Sequence, residues 1–381
     1  MIPRTLFGPE HEDFRKSVRR FFEEEVAPHR EAWEAQGHVD RGIWSRAGEL
    51  GMLCVTMPVE YGGAGVDRLY SVLMFEEQQH ACISSVGFFL HSDIVANYFN
   101  NFGSIEQKRH WLPKMARGET ITAIAMSEPG IGSDLQNIKT RAIDNGDHYI
   151  LDGAKTFITN GYLADLVIVA AKTGNVEADK GGQSISLLIV DAGAPGFTKG
   201  APLKKIGMKG LDSCELFFND VRVPKTNLLG LEGTGFTALK KELPWERMII
   251  AVQSIATAEA ALAWTVEYTR DRKAFGTPIA SFQNTRFRLS EMKAEIAIGR
   301  VFIDRCTELV LRNELSAAAA ATAKYWCSDL LGRVLDQCLQ LHGGYGYMLE
   351  YPIARAYIDG RAARIYGGSN EIMKEIIARS M

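Results

Sequence analysis

The spacing of apolar residues changes twice along the chain and divides it into three parts. Through residues 1–119, apolar positions recur every three or four residues, which is the repeat of amphipathic α-helices. Residues 120–233 instead contain short β-branched runs separated by Gly, Asp, Asn and Pro, which predict the strands of a small barrel or sandwich. Longer helical patterns return in residues 234–381 and predict a helical bundle. The pattern therefore predicts an α+β, mainly α, fold with three domains that have these boundaries.

Composition and charge narrow the class of protein. The chain has 381 residues, and its 43 Lys and Arg nearly balance 46 Asp and Glu, for a net charge of −3. This balance argues against nucleic-acid binding and against strong attraction to anionic membranes. Six cysteines without a C-x-x-C pair and eight histidines without an H-E-x-x-H motif indicate free thiols and no metal site.

Targeting signals are not recognisable in the sequence. The first residues lack an apolar secretory core, and no uninterrupted apolar run of about 18 residues occurs. We therefore expect a cytoplasmic protein of bacterial type without stable membrane insertion, with a processed mitochondrial form left open.

In the helical part, the aromatic-rich residues 88–102 are interpreted as core or as the lining of a cavity.

Two predicted strands end in polar turns that suit a flat ligand. The apolar run 121–126 leads into Ser-Glu-Pro-Gly-Ile-Gly-Ser-Asp at 127–134, and residues 155–161 read Lys-Thr-Phe-Ile-Thr-Asn-Gly. Side by side, the two strand ends would form a wall with an aromatic face, hydroxyls and backbone N–H donors, which suits a flavin. Ordinary turns between strands are the alternative interpretation. A dinucleotide fingerprint is excluded, because Leu135 stands where the third glycine is needed.

Three non-helical segments interrupt the C-terminal helical pattern. Residues 270–276 bring four charges and a glycine to the end of a helix, which is also the content of an ordinary C-terminal cap. Residues 340–347 carry three glycines, and residues 365–371 precede a last helix whose N–H donors would face a bound anion or carbonyl. Each segment alone is weak evidence, but their order and spacing together are informative.

Together these motifs resemble those of the acyl-CoA dehydrogenase family, and the resemblance spans essentially the whole chain. K-E-L-P-W-E-R at 241–247 and I-Y-G-G-S-N-E-I-M-K-E-I-I-A-R at 365–379 look closest to the long-chain branch. The resemblance implies FAD as cofactor, electron-transferring flavoprotein as electron acceptor, and a homotetramer built as a dimer of dimers. It also implies conversion of a medium- to long-chain acyl-CoA to its trans-2-enoyl-CoA.

The same resemblance assigns site residues by motif, with the flavin and its ribityl chain expected at Met126, Ser127, Gly132, Ser133, Phe157, Ile158 and Thr159. Phe157 stands where many members carry Trp, which preserves an aromatic wall. The pyrophosphate and adenosine part, held in this family from a neighbouring subunit, is expected at Arg272, Phe275 and Gln283. The cofactor site would be completed by Gln340, Leu341, Gly343, Gly344, Ser369 and Glu371. Substrate contacts are expected at Ser133, Arg247, Tyr366 and Gly367.

The reaction needs a general base for the weakly acidic α-proton of the thioester, and donors for the enolate oxygen. Many family members carry the base as Glu at the position of Gly367, where this chain offers only a backbone N–H. The long-chain and isovaleryl branches instead place Glu before Arg, a pattern that Glu246-Arg247 matches. We therefore expect Glu246 to be the catalytic base, with Glu242 as the second choice. A structural role remains the alternative, because with Pro244 at the first helical position Glu246 would face the helix dipole.

The residues leave two other functions open. The chain could keep the fold as a CoA-ester-binding or scaffold protein, which the flavin-wall residues argue against. It could also be an acyl-CoA oxidase, although the familiar oxidases of this fold are longer. Hydrolysis is not expected because no G-x-S-x-G motif occurs. The acyl group itself is not determined by the sequence, and the loop 180–184 is a weak candidate for contact with the CoA arm.

Overall fold

The computed structural model describes residues 2–174 and 182–381, so residues 180–181 of the candidate CoA loop lie outside the described part. The N-terminal part is helical, and its α-helices α1 to α6 are Pro9–Phe21, Arg30–Gln36, Gly42–Glu49, Arg68–His80, Ala96–Phe102 and Ile105–Ala116. This agrees with the helical periodicity of the sequence.

The first helix shows how that periodicity becomes structure. Pro9 lies in the first turn of α1, where its missing N–H has no intrahelical partner to lose, and Val18 and Phe21 are buried. The chain then continues as a π-helical turn, Phe22–Val26, and a second π-helical turn, Leu90–Val95, leads directly into α5. Such turns often occur near functional sites, so the segment around α5 is a place to look for one.

In the residues that the structure describes, the middle part forms a mixed eight-stranded sheet. Its strands β1 to β8 are Thr122–Ala125, Arg141–Asp144, His148–Thr159, Leu166–Lys172, Ile185–Asp191, Phe197–Lys199, Ser213–Pro224 and Leu228–Leu229. The hydrogen-bonded order is β6-β7-β3-β2-β4-β5-β8, and β1 pairs in parallel with β4. The predicted fold class is confirmed, with the described strands of the β domain built as one sheet in which seven strands follow one path and β1 branches from β4.

The central strands β4 and β5 are buried on both faces of the sheet, which explains their continuous apolar runs in the sequence. In β4, Leu166 and Ile168 pack into the core shared with the helices, whereas Val167 and Val169 pack into a second core on the other face. Because successive side chains of a strand point to opposite faces, a strand that is buried on both sides loses the alternation of apolar and polar residues.

The C-terminal part is a helical bundle with one small hairpin. Its helices α7 to α11 are Gly235–Asp271, Gln283–Leu311, Ala317–His342, Pro352–Gly360 and Asn370–Ala378, and the hairpin strands β9 and β10 are Lys273–Ala274 and Thr277–Pro278. The apolar patterns at 317–323 and 330–341 both belong to the single helix α9.

One expectation about Glu246 is wrong. α7 begins at Gly235, so Pro244 lies inside the helix and Glu246 is not in its first turn. A proline inside a helix removes one backbone hydrogen bond, and here burial of the helix outweighs that cost. The N-terminal dipole of α7 therefore does not explain the acidic residue at 246.

α7 is also the one described helix that is long and apolar enough to cross a membrane by composition. Its most apolar 18-residue window has a mean hydropathy of 1.5, but 72% of that window is buried inside the protein. The helix packs against α4, α8, α9 and α10. Its apolar character is accounted for by this position in the centre of the bundle.

Candidate active site

The two strand ends predicted to form a wall do lie side by side. The backbone N–H of Thr156 on β3 donates to the carbonyl oxygen of Ser127 at 3.0 Å, just beyond the end of β1. The Lys155 ammonium donates to the carbonyl oxygen of Met126 and to the Glu128 carboxylate, both at 2.9 Å. A buried ion pair therefore braces the wall from behind.

Both members of this ion pair, Lys155 and Glu128, have further hydrogen-bond partners. Glu128 also accepts hydrogen bonds from the N–H groups of Lys139 and Thr140, at 2.6 and 2.9 Å. Burial lowers the pKa of Lys155 to about 8, although the neighbouring carboxylate opposes that shift. Burial acts to raise the pKa of Glu128, but the ammonium and the N–H donors hold it below its usual value. At neutral pH both groups are charged.

Phe157 supplies the aromatic face. Its φ of +58° lies in the left-handed region, and the pairing of β3 with β7 shifts register between Lys155 and Ile158. The irregularity leaves 73% of Phe157 exposed while Ile158 packs into the core beneath the sheet. Ile158 can therefore contact a ligand on the outer face through its backbone but not through its side chain.

The other predicted residues of the wall are accessible. Met126, Ser127 and Thr159 are half-buried, and Gly132 and Ser133 are exposed in the turn after β1. The wall is joined to the N-terminal helices by Asn160, whose side-chain amide donates to the carbonyl oxygen of Gly87 at 3.0 Å. The wall is therefore a hydrogen-bonded surface with accessible polar edges.

A second set of predicted residues comes together in the C-terminal bundle. Arg272, Gln340, Leu341, Gly343 and Gly344 line one cavity of about 450 Å³. Gly343 has a φ of +58°, and a side chain at either glycine would meet open space. None of the described wall residues lines this cavity, so a single chain presents the two halves of the predicted cofactor site as separate surfaces.

Phe275 and Gln283 lie next to this cavity in the chain, on either side of the hairpin strand β10. Phe275 is the turn residue of the hairpin, with a φ of +52° and 99% of its surface exposed. Gln283 is the first residue of α8 and is also exposed. A bulky aromatic residue in the left-handed region is uncommon, and its exposed ring is accessible to a ligand.

Glu246 lies on α7, deep in the interior where this helix faces α5. It is 6% exposed, and its carboxylate accepts a hydrogen bond at 3.0 Å from the hydroxyl of Tyr98, which is fully buried. Burial raises the pKa of Glu246 to about 7; the Tyr98 hydrogen bond and Arg247 oppose this shift, while Glu242 adds to it. This carboxyl can therefore exchange protons near neutral pH.

The second-choice base, Glu242, lies one turn earlier on α7. It is also buried, and its carboxylate accepts a hydrogen bond of 2.7 Å from the side-chain amide of Asn101 on α5. Arg247 is 6% exposed, its Nε has no hydrogen-bond partner among the described residues, and burial lowers its pKa. An unsatisfied guanidinium nitrogen in the interior indicates a site that a ligand oxygen could complete.

The glycine loop beside α7 is held in an unusual backbone conformation. Gly367 and Gly368 have φ values of +66° and +89°. The buried Lys324 ammonium on α9 donates to the carbonyl oxygen of Gly368 at 2.7 Å and to Oδ1 of Asn370 at 2.9 Å. Ser369 then caps α11 by accepting from the N–H of Ile372.

Two further predicted residues, Tyr366 and Glu371, lie on either side of the two glycines. Tyr366 is half-buried and reaches a small internal cavity of about 50 Å³ between α4, α7 and α10. Glu371 is exposed in the first turn of α11, and a backbone hydrogen bond at its own position holds its pKa below the usual value. The loop thus places Tyr366 inside and Glu371 outside.

Comparison with known proteins identifies the family. Models described as acyl-CoA dehydrogenase N-terminal, middle and C-terminal domains match residues 8–119, 123–221 and 233–381. The chain is 49% identical to the mitochondrial long-chain specific acyl-CoA dehydrogenase of Sus scrofa over 378 residues, 99% of this chain and 88% of that one. The crystal structure of an acyl-CoA dehydrogenase from Geobacillus kaustophilus superposes with a TM-score of 0.97 at 46% identity, with 99% of each chain covered.

A third comparison concerns the cofactor. A glutaryl-CoA dehydrogenase from Mycobacterium smegmatis in complex with FADH2 superposes with a TM-score of 0.91 at 26% identity, over 98% of this chain and 95% of that one. The fold and the matching family models define an FAD-dependent oxidoreductase. The chain belongs to the acyl-CoA dehydrogenase family, as its motifs predicted.

The residues present fit FAD. Phe157 exposes a ring face on the wall, Gly343 and Gly344 leave open space beside the cavity, and Arg272 brings a cation to it. An aromatic face suits the isoalloxazine ring, and a guanidinium beside exposed backbone suits a pyrophosphate. The cofactor prediction is confirmed by family membership and agrees with this chemistry.

Several supporting residues were not assigned a role from the sequence. Lys155 and Glu128 occur inside the two wall motifs, but nothing in the spacing shows that they pair. Lys324 is one lysine in an alanine-rich helix, and Tyr98 belongs to the aromatic-rich stretch interpreted as core or cavity lining. Their roles depend on contacts between residues far apart in the chain, which no local pattern records.

Proposed function

We propose that this protein oxidises a medium- to long-chain acyl-CoA thioester to its trans-2-enoyl-CoA, and that Glu246 is the base that removes the α-proton. The observation that carries this proposal is the buried Glu246 carboxyl, whose pKa burial raises to about 7. A general base works best when its pKa lies near the operating pH. When bound, FAD supplies the acceptor for the β-hydride.

The neighbourhood of Gly367 supports Glu246 over a base on the glycine loop. Position 367 carries no side chain, and a Cβ built there would overlap Cδ1 of Ile250, one helical turn after Glu246. The loop therefore packs against the same face of α7, close to the carboxylate. Its N–H groups are available as donors toward a developing enolate oxygen, as the family resemblance implies.

The proton balance uses this chain's own residues. The α-C–H bond breaks, its proton goes to the Glu246 carboxylate, and the electron pair is stabilised as an enolate by hydrogen-bond donors at the thioester oxygen. Burial leaves the Glu246 carboxylate poorly solvated and more basic than in solution, although the charge of Arg247 opposes this shift. We include Arg247, Tyr366, Gly367 and Ser133 in the substrate site.

The two separate halves of the cofactor site support an assembly in which neighbouring subunits complete each site. In this proposal the wall residues bind the flavin, and Arg272, Phe275, Gln283 and the cavity residues bind the pyrophosphate and adenosine of FAD in a neighbour, within a homotetramer. Electron-transferring flavoprotein is the proposed electron acceptor. The proposal also includes domain boundaries at 119/120 and 233/234. It further includes a cytoplasmic location.

The decisive experiment replaces the base without changing its shape. Glu246→Gln keeps the size of the side chain and one acceptor oxygen, so FAD and substrate should still bind. The rate of anaerobic flavin bleaching by the best acyl-CoA substrate should fall about 10²–10⁴-fold, the usual effect of losing a general base. Glu242→Gln is the matched control one turn away. Full activity of Glu246→Gln with loss of activity in Glu242→Gln would move the assignment to Glu242, and a colourless parent protein would favour a binding role without redox chemistry.

A further inference from the structure

Two hydrogen bonds join α5 to α7 at the level of the buried carboxylates. The hydroxyl of Tyr98 donates to Oε1 of Glu246 at 3.0 Å, and the amide of Asn101 donates to Oε1 of Glu242 at 2.7 Å. The donors are three residues apart on one helix, and the acceptors are four residues apart on the other. Each buried carboxylate therefore has its own donor from α5.

Tyr98 is well placed to act as a fixed donor. Its side chain is fully buried, and its ring lies 6.0 Å from that of Phe102 on the same helix. Burial and the adjacent carboxylates raise the pKa of the Tyr98 phenol well above its usual value, so it stays protonated and donates. Because the hydroxyl bonds one carboxylate oxygen, the other oxygen of Glu246 is left to accept a proton.

We propose that Tyr98 is a positioning residue for the base, holding one oxygen of Glu246 so that the other faces the α-carbon of the thioester. This rests on the proposed function, in which Glu246 removes the α-proton. The hydrogen bond also favours the charged form of the carboxylate, and so it keeps more of the base ionised in a site that burial makes unfavourable for charge.

The other charged groups around Glu246 determine whether a substitution raises or lowers the pKa of its carboxyl. On α7, the negative charge of Glu242 disfavours ionisation of Glu246 and the positive charge of Arg247 favours it. From α9, Lys324 lies close enough to Arg247 for their charges to interact, and from α4 Arg68 interacts with Glu242. Removal of the Tyr98 hydroxyl should therefore raise the pKa of Glu246, whereas removal of the Glu242 charge should lower it.

The test compares pH profiles of kcat/KM for three variants of the holoenzyme. Tyr98→Phe should move the acid limb of the profile to higher pH by about one to two units, the equivalent of one net hydrogen bond to a charged group. Glu242→Gln should move the same limb to lower pH. Tyr149→Phe is the matched control, because Tyr149 also donates to a carboxylate, that of Glu232 at 2.8 Å, but in the middle sheet; its profile should match the parent.

A spectroscopic measurement checks the same change without turnover. The infrared band of the protonated carboxyl, identified by its absence in Glu246→Gln, should disappear at higher pH in Tyr98→Phe than in the parent. A folded Tyr98→Phe enzyme with an unmoved acid limb and an unmoved band would overturn the proposal, as would a loss of rate that is equal at every pH. If Glu246→Gln keeps full activity, the proposed function itself fails, so the two failures are distinguishable.

Discussion

A side chain at Gly367 would collide with Ile250, one helical turn after Glu246, and Gly367 itself has a φ of +66°. The left-handed backbone is what closes position 367 to a side chain, because the Ile250 atom that a Cβ would meet is the end of a flexible side chain and can shift. The glycine loop therefore lies against the part of α7 that follows the base at 246. A carboxylate cannot simply be moved from one position to the other.

A transplanted base should therefore restore little activity. The double variant Glu246→Gln with Gly367→Glu brings a carboxylate near the same α-carbon, but at a position that strains the backbone by about 1 kcal/mol or more. We expect its rate of anaerobic flavin bleaching to stay within about tenfold of Glu246→Gln alone, since a strained carboxylate is poorly oriented. Recovery to within tenfold of the parent would show that the loop adapts. Gly367→Ala serves as the control for strain alone.

Loss of the Arg272 charge should weaken FAD binding. Arg272→Ala removes a guanidinium from the cavity beside Gly343 and Gly344, and a charge-assisted hydrogen bond is worth about 1.5–3 kcal/mol. We expect folded protein that purifies with less flavin, measured by the ratio of flavin to protein absorbance. Arg270→Ala, an exposed arginine at the end of the same helix, is the control and should keep its flavin. Equal flavin content in both variants would remove Arg272 from the cofactor site.

The length of the substrate's acyl chain should control the reaction rate. If the acyl chain is buried in an apolar interior, each added methylene contributes about 0.8 kcal/mol, or roughly fourfold in kcat/KM until the cavity is filled. We expect octanoyl-CoA and longer esters to be oxidised much faster than butyryl-CoA. A panel of straight-chain and branched acyl-CoA esters, scored by anaerobic flavin bleaching, measures this directly. A preference for butyryl-CoA would contradict the proposed substrate class.

Removing one partner of the buried ion pair behind the flavin wall should destabilise the fold more than removing both partners. Lys155→Met leaves Glu128 charged and buried, and breaking such a pair typically costs about 3–5 kcal/mol of unfolding free energy. Lys155→Met with Glu128→Gln removes both charges, so its loss of stability should be smaller. Denaturant unfolding monitored by circular dichroism measures both variants. A double variant less stable than Lys155→Met would show that the carboxylate is stabilised by its two backbone donors alone.

Stability should fall as His80 loses its proton. Although burial acts to lower it, Glu259 and Glu77 raise the pKa of His80 to about 9, from 6.5. A group whose pKa is raised on folding contributes fully below its unfolded pKa, so this contribution is present below pH 6.5 and disappears as the pH rises through 9. The unfolding midpoint should fall over this window in the parent and change less in His80→Gln. Parallel pH curves for the two proteins would contradict this role.

The two carboxylates paired with His80 act in the opposite direction. Burial opposes it, but His80 and neighbouring arginines lower the pKa of Glu77 and of Glu259 to about 2. Their contribution is present above the unfolded pKa of a glutamate and is lost as the pH falls toward 2. From these three groups, stability should therefore be greatest between about pH 4.5 and the unfolded pKa of histidine.

The sequence by itself determined the three-part fold, the family and the cofactor. These depend on features that are local in the chain: the period of the apolar residues, the glycines of the turns, and motifs such as 125–134 and 365–379. The same local information identified Glu246 as a candidate, because position 367 carries no carboxylate. Each of these features could be recognised without knowing what lies next to it in space.

Only the tertiary structure decided how the candidate residues are supported. The long helix α7 runs through Pro244, since burial of its apolar surface outweighs one lost backbone hydrogen bond, and local propensity predicted the opposite. Tyr98 and Glu246 are 148 positions apart, and Lys324 and Gly368 are 44 apart. The pKa of Glu246 depends on burial and on donors contributed by another helix, and these are properties of the packed interior rather than of any segment of the chain.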